Sequence, residues 1–352
     1  MATLSIDGIS IKGISACVPS AIERNIEIQN QLPEDIKKFI EVTGVEERRI
    51  AAHDVCASDL CMKAATEVLT SLQWEKDSVE ILVFVSQTAD YILPVTSAIL
   101  QDRLGFSKDC IAFDIPLGCS GYVYGISVIT SMMKAFGLKR GMLLAGDTIS
   151  KWISKDDKST YPLFGDAGSA TLFETDSLNS TINFDLGTDG SGYKAIIIPD
   201  GGSRNSITET SFDEVEYDTG IKRNQCQLAL EGMDVFSFGI SQAPKTVNKL
   251  LEAFAIDKEK VDFFVFHQAN MMMNKMIGKK LKLPVEKVPY SLKHFGNTSS
   301  ATIPLTVVTE LINKLNEKDL NFIFCGFGVG LSWGTVHLTL KKETTLIFSE
   351  YE

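Results

Sequence analysis

Residues 111–133, IAFDIPLGCSGYVYGISVITSMM, run from a short apolar stretch through a glycine-bounded turn into a longer segment of helical period. An apolar run of this length between turn residues reads as a strand buried on both faces, and such strands belong in a sheet covered by helices. The alternation continues in both directions. Ile81–Ser86, Met142–Ala145, Ala195–Ile198, Phe263–Phe266 and Phe322–Cys325 read as further strands beside Ile111–Leu117. Periodicity predicts helices over Ala57–Leu72, Thr96–Leu104, Gly121–Phe136, Met233–Ala255, Gln268–Lys282 and Ala301–Leu315. The chain is therefore α/β.

The order of elements occurs twice. An early block runs strand, Ser-Gln-Thr-Ala, helix, strand, Gly-Cys-Ser-Gly, helix, then the strand MLLAGD at 142–147. A late block runs strand, His-Gln-Ala-Asn, helix, Phe-Gly-Asn-Thr-Ser-Ser, helix, then FIFCGFGVG at 322–330. Residue identity between them is weak, and chance alternation in an α/β chain competes with a true repeat. A true repeat implies two similar halves whose strand ends converge. Asp200–Cys226, polar and acid-rich, reads as a long joining loop or lid.

Composition excludes several classes. The 352 residues carry 44% hydrophobic and 22% charged side chains, as a folded globular chain does, so disorder and fibrous architecture are excluded. A net charge of −11 disfavours nucleic acid and anionic membrane as partners. No stretch has the ~20 apolar residues of a membrane helix, and the first residues lack the pattern of a secretory signal, so a cytoplasmic location is expected. Seven cysteines at irregular spacing, with four histidines and no Cys-x-x-Cys, argue for reduced thiols and against a metal site.

Four features could carry chemistry. Cys119 lies between a buried strand and a helix start, where free N–H groups and the helix dipole are expected to stabilise a thiolate; alone, it could equally be a small core cysteine. His267 ends the strand Phe263–Phe266, at the kind of position where open α/β sheets place ligands; it could also be a satisfied core histidine. Asn297 follows a glycine and precedes a helix, which also suits a simple cap. Gly326–Gly330 could bring backbone N–H groups to a ligand or form a tight turn. All four stand at the ends of buried strands.

Gly118–Gly121 (GCSG), His267–Asn270 (HQAN), Gly296–Ala301 (GNTSSA) and Gly326–Gly334 (GFGVGLSWG) resemble the β-ketoacyl-acyl-carrier-protein synthase III family of the thiolase superfamily. Val42–Ile50, Phe164–Ala170 and Asp200–Asn205 support the resemblance along nearly the whole chain. It implies a thiolase-like five-layered αβαβα sandwich of two duplicated halves, residues 1–175 with the nucleophile and 176–352 with the His and Asn, a lid at 199–226, and a homodimer. It implies Cys119, His267 and Asn297 as catalytic residues, with the N–H groups of Cys119 and Val329 as the oxyanion hole. The implied reaction is acyl transfer to Cys119 from an acyl-coenzyme A or acyl-carrier thioester. A decarboxylative condensation with a malonyl-carrier thioester follows, without metal or organic cofactor, in lipid or fatty acid synthesis.

Departures from the family pattern bear on the donor. Lys38 and Val42 stand where relatives commonly carry a Trp and an Arg for the coenzyme A nucleotide, and Glu46 replaces a basic residue. Met272 replaces an Arg, while Lys275, Lys279 and Lys280 make a basic helix suited to an acyl carrier protein, or simply a solvated face. Leu93 stands where a dimer partner's aromatic enters the acyl pocket. The main alternative is an acyltransferase of the same fold that forms an ester or amide with a small-molecule acceptor. A papain-like protease, suggested by the Cys-His-Asn order, fits poorly with an expected cytoplasmic, disulfide-free chain. A non-catalytic subunit would not be expected to retain Cys119.

Overall fold

The computed structural model describes residues 2–29, 31–176 and 180–352. Eleven of its strands make up two sheets: β1 (Ala2–Asp7), β2 (Ile9–Pro19), β3 (Ile81–Val85), β4 (Ile111–Ile115), β5 (Arg140–Asp147), β6 (Ala167–Thr175), β7 (Thr181–Thr188), β8 (Phe263–Phe266), β9 (Leu320–Gly328), β10 (Ser332–Leu340) and β11 (Thr345–Tyr351). One sheet has the order β11-β2-β6-β5-β3-β4, the other β1-β7-β10-β9-β8. The main helices are α1 (Pro33–Thr43), α2 (Ala57–Leu72), α3 (Thr96–Leu104), α4 (Gly121–Phe136), α5 (Gly232–Ala253), α6 (Met271–Lys280) and α7 (Thr302–Glu310).

Three apolar cores stack these elements into layers. The central one takes Tyr122, Ile126 and Ile129 of α4 and Ile303 and Val307 of α7 between Val83 and Leu143 of one sheet and Phe322 and Val336 of the other. The outer cores pack α2 and α3 on the six-stranded sheet and α5 and α6 on the five-stranded one. The result is the expected αβαβα sandwich. Because the middle helices are covered on both sides by sheets, α4 is apolar almost all round, and every residue from Thr302 to Val308 is buried. Gly125 lets α4 lie directly on the sheet, since a Cβ there would stand 2.6 Å from Leu143 Cδ1.

The repeat reappears as topology. In one sheet β2 pairs antiparallel with β6, β6 antiparallel with β5, and β5 parallel with β3. In the other, β7, β10, β9 and β8 follow with the same directions. Each terminus crosses over, however. β1 joins the five-stranded sheet on β7, and β11 joins the six-stranded sheet on β2, so the two halves exchange edge strands.

Three of the expected helices match to the residue, and the others differ at their ends. The Asn270 side chain caps α6 by accepting from the Met273 N–H at 2.8 Å, so this helix starts after His267–Asn270 rather than at Gln268. The Ala301–Leu315 segment breaks at Leu311. The expected loop at 200–226 contains a helical turn (Glu209–Phe212) and a hairpin of Val215–Asp218 with Ile221–Arg223. All seven cysteines are unpaired. Among the described residues no helix is long and apolar enough to cross a membrane.

Candidate active site

Strand β4 delivers the chain to Leu117-Gly118-Cys119, and α4 leaves immediately afterwards. Cys119 is buried, and the loop after β9 closes over it. Glycine is required at the end of β9 by close approach: a Cβ on Gly326 would stand 2.7 Å from the Cys119 carbonyl oxygen, and Gly328 backs directly onto the sulfur. The two segments are also tied through side chains. Ser120 Oγ lies 2.7 Å from Ser332 Oγ, and the Ser332 hydroxyl donates to the Val329 carbonyl at 2.7 Å. This clamp holds the Val329 N–H at the Cys119 sulfur, where it favours the thiolate.

Burial nevertheless decides the state of that thiol. Loss of solvent, followed by the negative charge of Asp147, pushes Cys119 up to about 12, and the N–H groups of Val329 and Cys119 with the Ser299 hydroxyl only partly oppose this. The expected resting thiolate is therefore corrected. The backbone donors are present, but desolvation outweighs them, and at neutral pH the sulfur carries its proton.

His267 follows β8 and is 2% exposed. Its Nδ1 lies 2.8 Å from Thr302 Oγ1 at the start of α7, and its ring meets Phe327 edge-on at 5.7 Å. Burial lowers its pKa to about 3 against the opposing effect of the Ser299 carbonyl, so the imidazole is neutral at physiological pH.

Asn297 is placed by Gly296, whose φ of 63° and 2.6 Å approach of a would-be Cβ to the Leu163 carbonyl both demand glycine. The Asn297 backbone is pinned to Leu163 and Gly165, and Oδ1 accepts from the Ser299 N–H at 2.9 Å. The side-chain NH2 has no protein hydrogen-bond partner among the described residues. Ser299 itself has φ 52°, a conformation that non-glycine residues rarely hold and that recurs at functional sites.

Sequence reasoning missed Asp147, the residue that joins the two halves here. Its fully buried carboxylate accepts from the Gln87 N–H at 2.7 Å and Ser86 Oγ at 3.1 Å on one side, and from Ser300 Oγ at 2.7 Å on the other. The signal was present as the Gly-Asp that ends the strand at 142–147. Thr302 and Ser299 were missed as well, since neither bears chemistry of its own.

Cys119, His267 and Asn297 line one cavity of about 210 Å³, with Gln87, Phe327 and Val329. Its outer walls are apolar, built from Phe39, Phe164, Leu228, Leu230, Val235 and Phe236. Lys38, Val42 and Glu46 are exposed on and just after α1, and Glu46 pairs with Lys293 at 3.6 Å. A separate groove between α1 and α6 is lined by Glu41, Val42, Met272, Met276, Lys275 and Lys279. Lys280 does not join them: its Nζ donates to the Ile240 carbonyl on α5 at 2.9 Å. Leu93 is not among the residues lining the cavity. It is 82% exposed beside Ile92 at 94%, on an apolar loop.

Residues 113–190 match the model of 3-oxoacyl-[acyl-carrier-protein] synthase III, and residues 251–340 match that of its C-terminal part. A β-ketoacyl-[acyl-carrier-protein] synthase III of Syntrophomonas wolfei is 31% identical over 337 residues, 95% of this chain and 98% of its own. A crystal structure of a 3-oxoacyl-(acyl-carrier protein) synthase from Burkholderia xenovorans LB400 superposes with a TM-score of 0.94 at 37% identity, covering 99% of both chains. OleA of Xanthomonas campestris, 18% identical with a TM-score of 0.79 over 95% of this chain and 99% of its own, shares the fold.

Proposed function

The chain belongs to the 3-oxoacyl-[acyl-carrier-protein] synthase III family of acyltransferases, and from that premise we propose that it extends an acyl group by decarboxylative condensation through a Cys119 thioester. The observation that carries this reading is the convergence of Cys119 from one half with His267 and Asn297 from the other on a single apolar-walled cavity. Residues 1–175 and 176–352 are then two duplicated units sharing one site at their junction.

In the first step the Cys119 sulfur attacks the carbonyl carbon of an acyl thioester. The N–H groups of Cys119 and Val329 receive the oxyanion. Collapse expels the donor's thiolate, which takes up the proton that Cys119 loses, so the half-reaction consumes no base. Since the resting sulfur is a thiol, this transfer is part of the barrier and not completed beforehand.

In the second step a malonyl thioester loses carbon dioxide, and its thioester oxygen becomes an enolate. Asn297 Nδ2 donates to that oxygen without titrating. His267 donates from Nε2 when the Thr302 hydroxyl, which donates to the Ser299 carbonyl at 3.0 Å in this structure, turns to Nδ1 2.8 Å away. The enolate carbon attacks the acyl-Cys119 carbonyl, the sulfur leaves as a thiolate that takes a proton from water to restore the thiol, and a 3-oxoacyl thioester is released.

An acyl carrier protein is the favoured bearer of these groups. Lys275 and Lys279 flank the groove beside the cavity, while Lys38, Val42 and Glu46 offer neither a stacking aromatic nor an arginine for a nucleotide. The exposed apolar loop around Ile92 and Leu93 suits the interface of a homodimer. Intact-mass measurement after mixing the protein with acyl-carrier thioesters tests the first step. An acyl increment that disappears in Cys119→Ala supports it, and an increment that survives this substitution refutes it.

A further inference from the structure

Gln87 and Gln268 occupy equivalent posts in the two halves, each two residues beyond the strand that pairs in parallel with the long central one: β3 on β5, β8 on β9. Their side chains are treated differently. Gln268 is fully buried and satisfied, donating to the Phe266 carbonyl at 2.8 Å and accepting from the Ser291 N–H at 3.2 Å. The Gln87 carboxamide has no hydrogen-bond partner among the described residues, and it lines the cavity that holds Cys119. It lies against Gly118, where a Cβ would come within 2.8 Å of Gln87 Cδ and 3.1 Å of Ser299 Oγ. Gln87 is thus packed on the residue that precedes the nucleophile.

Gln87 is half-buried, and its carboxamide leaves two N–H donors and one acceptor oxygen available to a group that enters the cavity beside Cys119. On the wall Thr43 donates to the Phe39 carbonyl and Ser159 to Asp157, while the free Asn297 amide is the one assigned to the enolate oxygen. From this we propose that Gln87 selects the acyl group, and that the group loaded on Cys119 bears a hydroxyl or oxo oxygen within a few bonds of the thioester carbon. The carboxamide suits both, donating to either oxygen and accepting from a hydroxyl. A site built to bond such a group rejects the analogue that lacks it far more strongly than an apolar pocket rejects an extra methylene.

This selection rests on the acyl-enzyme reading above, and one experiment separates the two. The full-length protein is mixed with butanoyl-, 3-hydroxybutanoyl- and 3-oxobutanoyl-pantetheine, and the rate of mass gain on Cys119 is followed for each. Wild type is expected to load one or both oxygenated groups roughly tenfold or more faster than butanoyl. Gln87→Leu, with an unchanged thermal transition, is expected to reverse that order. Butanoyl loading as fast as both others in wild type overturns the role of Gln87 whether or not the variant folds, as does a Gln87→Leu protein that keeps the wild-type preference. No gain from any of the three overturns the acyl-enzyme reading and the selection together.

Discussion

Gly328 and Cys119 pack so closely that a Cβ on residue 328 would stand 2.6 Å from the Cys119 Cβ and 2.8 Å from its sulfur. Gly328 ends β9 and the next residue supplies the Val329 N–H assigned to the oxyanion, so space for the nucleophile and placement of the donor depend on one missing side chain. Gly328→Ala is expected to lower Cys119 acylation by about 10²-fold or more, the scale of losing one oxyanion donor, while the protein still folds. Acylation at the wild-type rate in a folded Gly328→Ala protein would remove this segment from the account.

The His267 and Asn297 donors are assigned to the enolate alone. His267→Ala and Asn297→Ala should each reduce release of carbon dioxide from a malonyl thioester by ~10²–10³. Loading of Cys119, measured separately by mass, should fall much less. Equal losses in both half-reactions would place these residues in support of the fold or the thiol instead.

The state of the Cys119 thiol has a pH signature. With its pKa pushed up to about 12, the thiolate fraction is small at pH 8 and grows about tenfold per pH unit. Alkylation of Cys119 by iodoacetamide should therefore keep accelerating through pH 9 and 10 without the plateau of an ordinary cysteine. Asp147 raises this pKa through its charge, so Asp147→Asn should move the profile to lower pH. A plateau near pH 8 in the wild type would contradict the dominance of burial.

Lys275 and Lys279 share a groove with Val42 and Met272, whereas Lys280 is bonded to the Ile240 carbonyl. Charge reversal of Lys275 and Lys279 should raise the KM for a carrier-protein donor, and the difference should shrink as salt rises. Kinetics with coenzyme A thioesters should change little, and Lys280→Glu should have the smaller effect on the carrier. A larger effect of Lys280→Glu would place carrier docking on the α5 side of the helix.

The fold was legible where strands are buried on both faces, because continuous apolar runs such as Phe263–Phe266 have no other easy explanation. The flanking strands β2, β6 and β10 mix small and polar residues, Gly13, Ser169 and Thr335 among them, whose burial is decided by neighbours distant in sequence. The exchange of β1 and β11 between the sheets left no local mark at all. At the site, Cys119 and His267 could be picked out because reactive side chains follow apolar strands, whereas Asn297 follows a helical turn, Leu292–Phe295, and not a strand end. Asp147 and Thr302 act through partners 153 and 35 residues away, and those distances close only in the folded chain. The high pKa of Cys119 was hidden for the same reason. A helix start can be read in sequence, but the degree to which loop and sheet exclude water from it cannot.

The most direct test of the condensation itself is mass analysis of the products formed from an acyl-loaded enzyme and malonyl-carrier protein, with carbon dioxide measured alongside. The expected result is one carbon dioxide released for each carrier-bound 3-oxoacyl chain two carbons longer than the primer. An ester or amide of the primer with a small-molecule acceptor, formed without carbon dioxide, would contradict it.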